Sequence, residues 1–251
     1  MGGRIGSSQQ QDQTEEYDGS SWSEQNDLNT GRQRGSGAGS QTAGLYFSGI
    51  GDTDATEEYD GTSWTAGGNL SVGTYSMGGS GTQTAALSFG GNDSDGANSN
   101  VTAEYGGTSW TTGGNLNTAR RRFDGAGTLT AGLGFGGYTD TSVNNSEEYN
   151  GTAWTEGNNL NTARQYLAGM GSQTAGLAVG GNDGTALVSV VEEYDGTSWT
   201  EVNNIPTATA THGTSGSVSY THLRAHETRQ ISYAVFCLKK KRGGGGGGGG
   251  G

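Results

Sequence analysis

Three histidines, one cysteine and one proline in 251 residues leave little material for several common chemistries. A single cysteine, Cys237, can neither close a disulfide within the chain nor build a multi-thiolate zinc site. No apolar run approaches the roughly 20 residues a helix needs to cross a bilayer. The N-terminus lacks the charged, apolar and small-residue succession of a signal peptide. No membrane insertion is expected, therefore, and localisation is not written in the chain. Nor does any stretch carry apolar residues at sustained helical spacing, so essentially no helix is expected. With 29% hydrophobic residues and 51 glycines, the composition suits many short strands joined by tight turns better than one large continuous core.

Residues 218–251 share none of the patterns found before them. VSYTHLRAHET resembles one reading frame of a transposon-library sequencing adapter, and ISYAVFCL resembles a frame of the flow-cell end sequence. The lysines at 239–241 and the glycines from 243 to the end then read as poly-A and poly-G. This tail is expected to be non-native and disordered. Residues 1–217 retain 7 Arg against 24 Asp and Glu, a formal charge of −17, with no lysine, no cysteine and one histidine, His212. So acidic a surface repels phosphate backbones, and no nucleic-acid partner is expected.

Within 1–217 one octapeptide recurs. EEYDGSSW at 15–22 returns as EEYDGTSW at 57–64, AEYGGTSW at 103–110, EEYNGTAW at 147–154 and EEYDGTSW at 192–199. The pairs Tyr17 and Trp22, Tyr59 and Trp64, Tyr105 and Trp110, Tyr149 and Trp154, and Tyr194 and Trp199 thus mark five repeats, their tryptophans 42, 46, 44 and 45 residues apart. A fixed period in this range signals a repeat architecture. Each Tyr is followed by Asp-Gly, Asn-Gly or Gly-Gly, the dipeptides of type I′ hairpins. Because Gly106 replaces the carboxylate in one copy, a turn explains these positions better than an Asp-lined metal site. A two-residue turn places Tyr194 opposite Thr197, Glu193 opposite Ser198 and Glu192 opposite Trp199. Tyr194 and Trp199 then share one sheet face as diagonal neighbours, where they pack between adjacent sheets.

After each Trp a polar connection such as GNNLNTA (157–163) leads to a strand predicted from Arg164 to about Met170. A turn at Gly171-Ser172-Gln173 leads into TAGLAVGG at 174–181, predicted as the inner strand, with relatives at 42–49, 84–91 and 130–137. Four antiparallel strands per repeat follow. An apolar strand ending in a Gly doublet, then Tyr, then Trp, then an Arg-led strand resembles the kelch repeat. The doublets are Gly2-Gly3, Gly90-Gly91, Gly136-Gly137 and Gly180-Gly181, with Ser48-Gly49 as a degenerate copy. The resemblance implies an all-β, kelch-like β-propeller with five four-stranded blade repeats, the first lacking its inner strand, in a truncated ring. Open blade edges in such a ring make self-association an expectation. The same fold carries galactose oxidase, but its copper site needs a Tyr–Cys crosslink and histidines that residues 1–217 lack.

From the Glu before each Tyr to the last Gly of the next doublet the distance is a constant 33 residues, so length varies only after the doublets. Variable loops on a constant scaffold are where binding is usually placed. Strand polarity puts these loops and the GNNLNTA-type connections on one face, with the Asp-Gly turns on the other. Arg32, Arg120 and Arg164 are expected near the variable face, Thr74 and Thr209 replacing them in two repeats. With Asn92, Asp93, Asn182 and Asp183 they form the candidate ligand face. The expected function is a non-catalytic recognition module without a cofactor or metal, binding a protein or glycan at a virion or cell surface. Two alternatives are a fragment of a carbohydrate-active propeller enzyme and a purely structural virion or adhesin segment.

Overall fold

The structure is a computed structural model, and it describes residues 3–5, 9–50 and 54–210. The adapter-like tail, His212 and Cys237 lie outside the described residues. Strands β1 (Gly3–Ile5) and β2 (Gln9–Gln11) pair with each other, and β3 (Thr14–Tyr17) and β4 (Trp22–Gln25) form a hairpin. Four antiparallel sheets follow. The first is β5 (Ser36–Ser40), β6 (Ala43–Phe47), β7 (Thr56–Tyr59) and β8 (Trp64–Ala66). The second is β9 (Gly78–Thr82), β10 (Ala85–Phe89), β11 (Thr102–Tyr105) and β12 (Trp110–Thr112). The third is β13 (Asp124–Thr128), β14 (Ala131–Phe135), β15 (Ser146–Tyr149) and β16 (Trp154–Glu156). The fourth is β17 (Ala168–Ser172), β18 (Ala175–Val179), β19 (Val191–Tyr194) and β20 (Trp199–Glu201). Each sheet pairs its strands in sequence order, and the described residues include no helix. The molecule is an all-β propeller of repeated blades in an open ring, its first blade reduced to the β3–β4 hairpin.

The innermost strand of each blade is the Gly-rich one, not the TAGL-type strand. Strands β5, β9, β13 and β17 pack on one another in succession, which puts them nearest the axis. The reason is steric. A Cβ on Gly125 would fall 2.4 Å from Cζ of Phe89, and one on Gly79 would fall 2.4 Å from Oγ of Ser36. Each inner hairpin also needs a left-handed residue. Gly81 (φ +106°) occupies that position in the β9–β10 hairpin, and any Cβ there would meet the Ala85 carbonyl oxygen at 2.2 Å. The predicted Arg-led strand starts later than expected, because Arg164 belongs to the connection and β17 begins at Ala168.

TAGL-type strands supply the core instead. Leu45, Phe47, Leu87, Phe89, Leu133 and Phe135 are all fully buried, each contributing about 1.5–3 kcal/mol of burial. Each blade's Phe receives the Trp of the next: Phe47 against Trp110 (5.0 Å between ring centroids), Phe89 against Trp154 (4.8 Å) and Phe135 against Trp199 (4.8 Å). Two polar tethers accompany this packing. Indole Nε1 donates to a hydroxyl of the preceding blade, Trp64 to Thr14, Trp110 to Thr56 and Trp154 to Thr102 (2.9 Å each), and Trp199 to Ser146 (3.4 Å). Tyr105, Tyr149 and Tyr194 donate their hydroxyls to Glu58, Glu104 and Glu148 of the preceding blade. Burial and then the Glu hydrogen bond push the Tyr149 phenol up to about 12.

The Tyr/Trp hairpins differ from the two-residue turn. Tyr194 pairs directly with Trp199, Glu193 with Thr200 and Glu192 with Glu201, leaving a four-residue loop at 195–198. The Asp side chain causes this. Asp195 Oδ1 accepts from the amides of Thr197 (2.8 Å) and Ser198 (2.7 Å), which a two-residue turn would have placed in the strand ladder. Only the glycine takes positive φ, +88° at Gly196. The pairing shifts by two residues, so every side chain keeps its face. Tyr and Trp stack as direct neighbours with centroids 4.9–5.2 Å apart in all five hairpins.

This capping has a pH signature. The amides of Ser63 and Thr62 hold the Asp60 carboxyl below the usual range, and those of Ser198 and Thr197 do the same for Asp195. A depressed carboxylate contributes stability above its unfolded value near pH 4 and loses it as pH falls through the folded value. Loop amides 62–63 are expected to keep their native NMR shifts at pH 4 and to titrate only below it. Asp60→Asn copies the natural Asn150 loop, where Oδ1 caps Thr152 and Ala153 at 3.0 Å each, and in that variant the titration disappears. Titration at an ordinary carboxylate value in the native protein would refute the capping account.

Candidate functional site

The loops after the Gly doublets and the connections after the Trp strands do share one face. Gln33 bridges Ile50, Tyr75 bridges Asn92, Arg121 bridges Tyr138 and Gln165 bridges Asn182. The Asp-Gly loops crowd the opposite face against the inner-hairpin turns, with Gly61 against Thr42 and Gly151 against Thr130.

Arg32, Arg120 and Arg164 lie in the connections of that face but do not present their side chains on it. All three side chains are 0% exposed, and each is paired within its own blade, with Glu57, Glu147 and Glu192 respectively. Arg32 Nη2 lies 2.8 Å from Glu57 and Arg120 Nη2 lies 3.3 Å from Glu147. Further donors go to backbone oxygens, Arg32 Nη1 to Ala55 (2.8 Å) and Arg120 Nη1 to Asn145 (2.8 Å). An asparagine three residues earlier completes the network. Asn161 donates its backbone and side-chain N–H groups to Glu192 Oε2 (2.7 and 2.8 Å) and its side chain also to the Trp199 carbonyl (3.0 Å). Burial pulls the Arg120 guanidinium down to about 10, so it stays charged at neutral pH. The physical reason for the correction is that a buried charge requires a partner, and the first Glu of EEY supplies it. The repeats carry a sign of this. Where Thr74 replaces the arginine, Ala103 replaces the glutamate and Ser71 the asparagine, all in one blade.

Asn92, Asp93, Asn182 and Asp183 do lie in the loops of this face, but their side chains brace those loops. Asn92 Nδ2 donates to the Gly96 carbonyl (2.8 Å), and Asp93 Oδ1 accepts from Asp95 and Ala97 amides (3.0 and 2.8 Å). Asn182 Oδ1 accepts from Gly184 (2.8 Å), and Asp183 Oδ1 accepts from Thr185 and Ala186 (2.7 and 2.9 Å).

A different constellation occupies the axis end of the face. The residue two positions after each buried Arg or its Thr substitute is Arg34, Ser76, Arg122 or Tyr166, just ahead of an inner strand. All four are left-handed, at φ +60°, +57°, +58° and +55°. Their backbones follow one another from blade to blade: Ser76 N donates to Arg34 O (2.8 Å), Arg122 N to Ser76 O (2.8 Å) and Tyr166 N to Arg122 O (2.7 Å). Beside them the guanidinium of Arg122 lies 5.0 Å from the Tyr138 ring centroid and 4.9 Å from that of Tyr166. Arg121 sits over the same Tyr138 ring at 5.0 Å and donates to the Gly96 carbonyl at 3.0 Å. Arg122 Nη1 donates to Gln165 Oε1 at 3.0 Å. Cation–π stacking of this kind holds the two guanidinium planes in place.

Charge concentrates the interest here. Three arginines are neutralised inside the blades, whereas Arg34, Arg121 and Arg122 form no ion pair among the described residues. An acidic molecule thus leaves Arg121 and Arg122 without an ion pair among the described residues beside one tyrosine ring, with Arg34 at the matching repeat position two blades away. Sequence reasoning passes over Arg34, Arg121, Arg122, Tyr138 and Tyr166. The RRR run at 120–122 is the available signal, but it does not say which of the three faces outward. No family model and no curated protein matches the chain.

Proposed function

We propose that this chain is a non-catalytic recognition module of the kelch-type propeller kind, binding a glycan or protein at a virion or cell surface. Its ligand face carries the loops after the Gly doublets, and the arginine–tyrosine mouth at the axis is the contact centre. The observation that supports this reading is the pair Arg121 and Arg122, free of ion pairs among the described residues and set against the Tyr138 and Tyr166 rings, in a chain that buries and pairs Arg32, Arg120 and Arg164. Stacked arginine and tyrosine are residues that dominate binding energy at recognition surfaces. Screening the full chain against glycan and surface-protein arrays tests it. Reproducible binding that Arg121→Ala weakens, with no product formed from the bound ligand, is the expected result. Product formation would favour the carbohydrate-active enzyme. Failure to bind any arrayed ligand would favour a purely structural segment.

A further inference from the structure

The left-handed residues at the mouth are an unusual use of sequence. Positive φ suits glycine, and elsewhere in the described chain glycine takes it almost every time. Of the five described non-glycine residues with positive φ, four are Arg34, Ser76, Arg122 and Tyr166 at this one repeat position, and the fifth is Ser48 of the degenerate doublet. A bulky side chain there costs strain that glycine would avoid. Arginine twice and tyrosine once mean that the side chain matters at this position more than the comfort of the backbone.

The layered arrangement says what those side chains offer. Arg122 has the Tyr138 and Tyr166 rings stacked on its plane and one Nη donating to Gln165. The rest of its guanidinium edge keeps the fork geometry that fits a carboxylate bidentately. Arg121, stacked on the same Tyr138, brings a second fixed guanidinium alongside. Beside them lie the Gln165 amide, bonded to Arg122, and the Tyr138 phenol, while the Tyr75 hydroxyl lies by Gly96, whose carbonyl accepts from Arg121; amides and hydroxyls are groups that pair with sugar hydroxyls. The formal charge of −17 over residues 1–217 sets a further limit. The molecule as a whole repels long polyanions, so only a ligand with one or a few negative charges gains at the mouth.

We propose that the axis mouth binds a glycan through a single acidic sugar, its carboxylate held by the edges of Arg122 and Arg121 and its hydroxyls by the surrounding amide and hydroxyls. The inference rests on the recognition-module reading and specifies its ligand class.

Two pairs of probes test it by calorimetry on the full chain: sialyllactose with lactose, and glucuronosyl-glucose with cellobiose. In at least one pair the acidic member is expected to bind about tenfold or more tighter than the neutral one, because a bidentate charged contact is lost in the latter. That preference should shrink as salt rises from about 50 to about 500 mM. Arg122→Gly is the informative variant. Glycine relieves the left-handed strain, so the urea midpoint should not fall while the acidic preference disappears. Should Arg122→Gly fail to fold, Arg122→Lys replaces it, and the preference is again expected to fall because an ammonium cannot present a stacked fork. Equal binding of acidic and neutral members overturns the acidic-sugar assignment and leaves the recognition module standing. So does binding of a tetraglutamate peptide with no binding of either acidic sugar. An acidic preference untouched in folded Arg122→Gly overturns the assignment to this mouth. If no array ligand and none of these probes binds, both readings fall together.

Discussion

Glu192→Ala will destabilise the protein by about 3–5 kcal/mol, the usual loss when one partner of a buried ion pair is removed and the other charge is stranded. Arg164 is 0% exposed, its other hydrogen bonds go to backbone carbonyls, and the remaining nearby carboxylate, Glu201, acts on it through space without a hydrogen bond. Asn161 loses its Glu192 acceptor at the same time and keeps the Trp199 carbonyl. The chain also contains the remedy. One blade has Ser71, Thr74 and Ala103 where the others have the Asn, Arg and Glu. Writing that trio into the last blade as Asn161→Ser, Arg164→Thr and Glu192→Ala should therefore leave it more stable than Glu192→Ala alone. The coupling between Arg164 and Glu192 should appear as non-additivity of up to about 3 kcal/mol in a double-mutant cycle. Urea unfolding of the singles, the double and the triple variant measures it. Strictly additive losses would show that the pair is not a coupled unit.

Trp154→Ala should cost a similar amount, about 3–5 kcal/mol, through the cavity left between two blades. The indole is only 5% exposed, lies 4.8 Å from Phe89 and 5.0 Å from Tyr149, and donates to buried Thr102 at 2.9 Å. Trp154→Phe keeps most of the packing and loses the hydrogen bond, so its cost should be nearer to about 1 kcal/mol. Trp22 provides the internal comparison. It holds the same place in its repeat but is 42% exposed, so Trp22→Ala should lose clearly less than Trp154→Ala. Intrinsic fluorescence and urea unfolding distinguish the three. Equal losses at Trp22 and Trp154 would mean that the octapeptide matters within its own hairpin and not between blades.

These two expectations separate what the repeat reveals from what it conceals. Tyr and Trp at fixed spacing announce a stacked pair, and the stack exists, because side-chain facing in a strand depends only on parity. The turn joining them is longer than its dipeptide suggests. Asp-Gly fits a type I′ turn by composition, but Asp195 spends its carboxylate on the Thr197 and Ser198 amides and lengthens the loop to four residues. The arginines are harder still. Arg120, Arg121 and Arg122 are neighbours in sequence, yet Arg120 is sealed against Glu147 while Arg121 and Arg122 stack on Tyr138. The one clue lies in substitutions made together, Thr74 with Ala103, and it becomes legible only once the two positions are known to touch.

By itself, then, the sequence determined the strand content, the four-stranded blade as the repeating unit and the separation of a constant face from a variable one. Those follow from period, alternation and turn chemistry, which are local and which five copies reinforce. Only the tertiary structure decided the fate of the charges and the identity of the axial strand. A guanidinium's partner lies 25 to 28 residues away on the third strand of the same blade. The strand nearest the axis, likewise, is the one whose glycines allow four blades to meet, a property of the packed blades and not of any one of them.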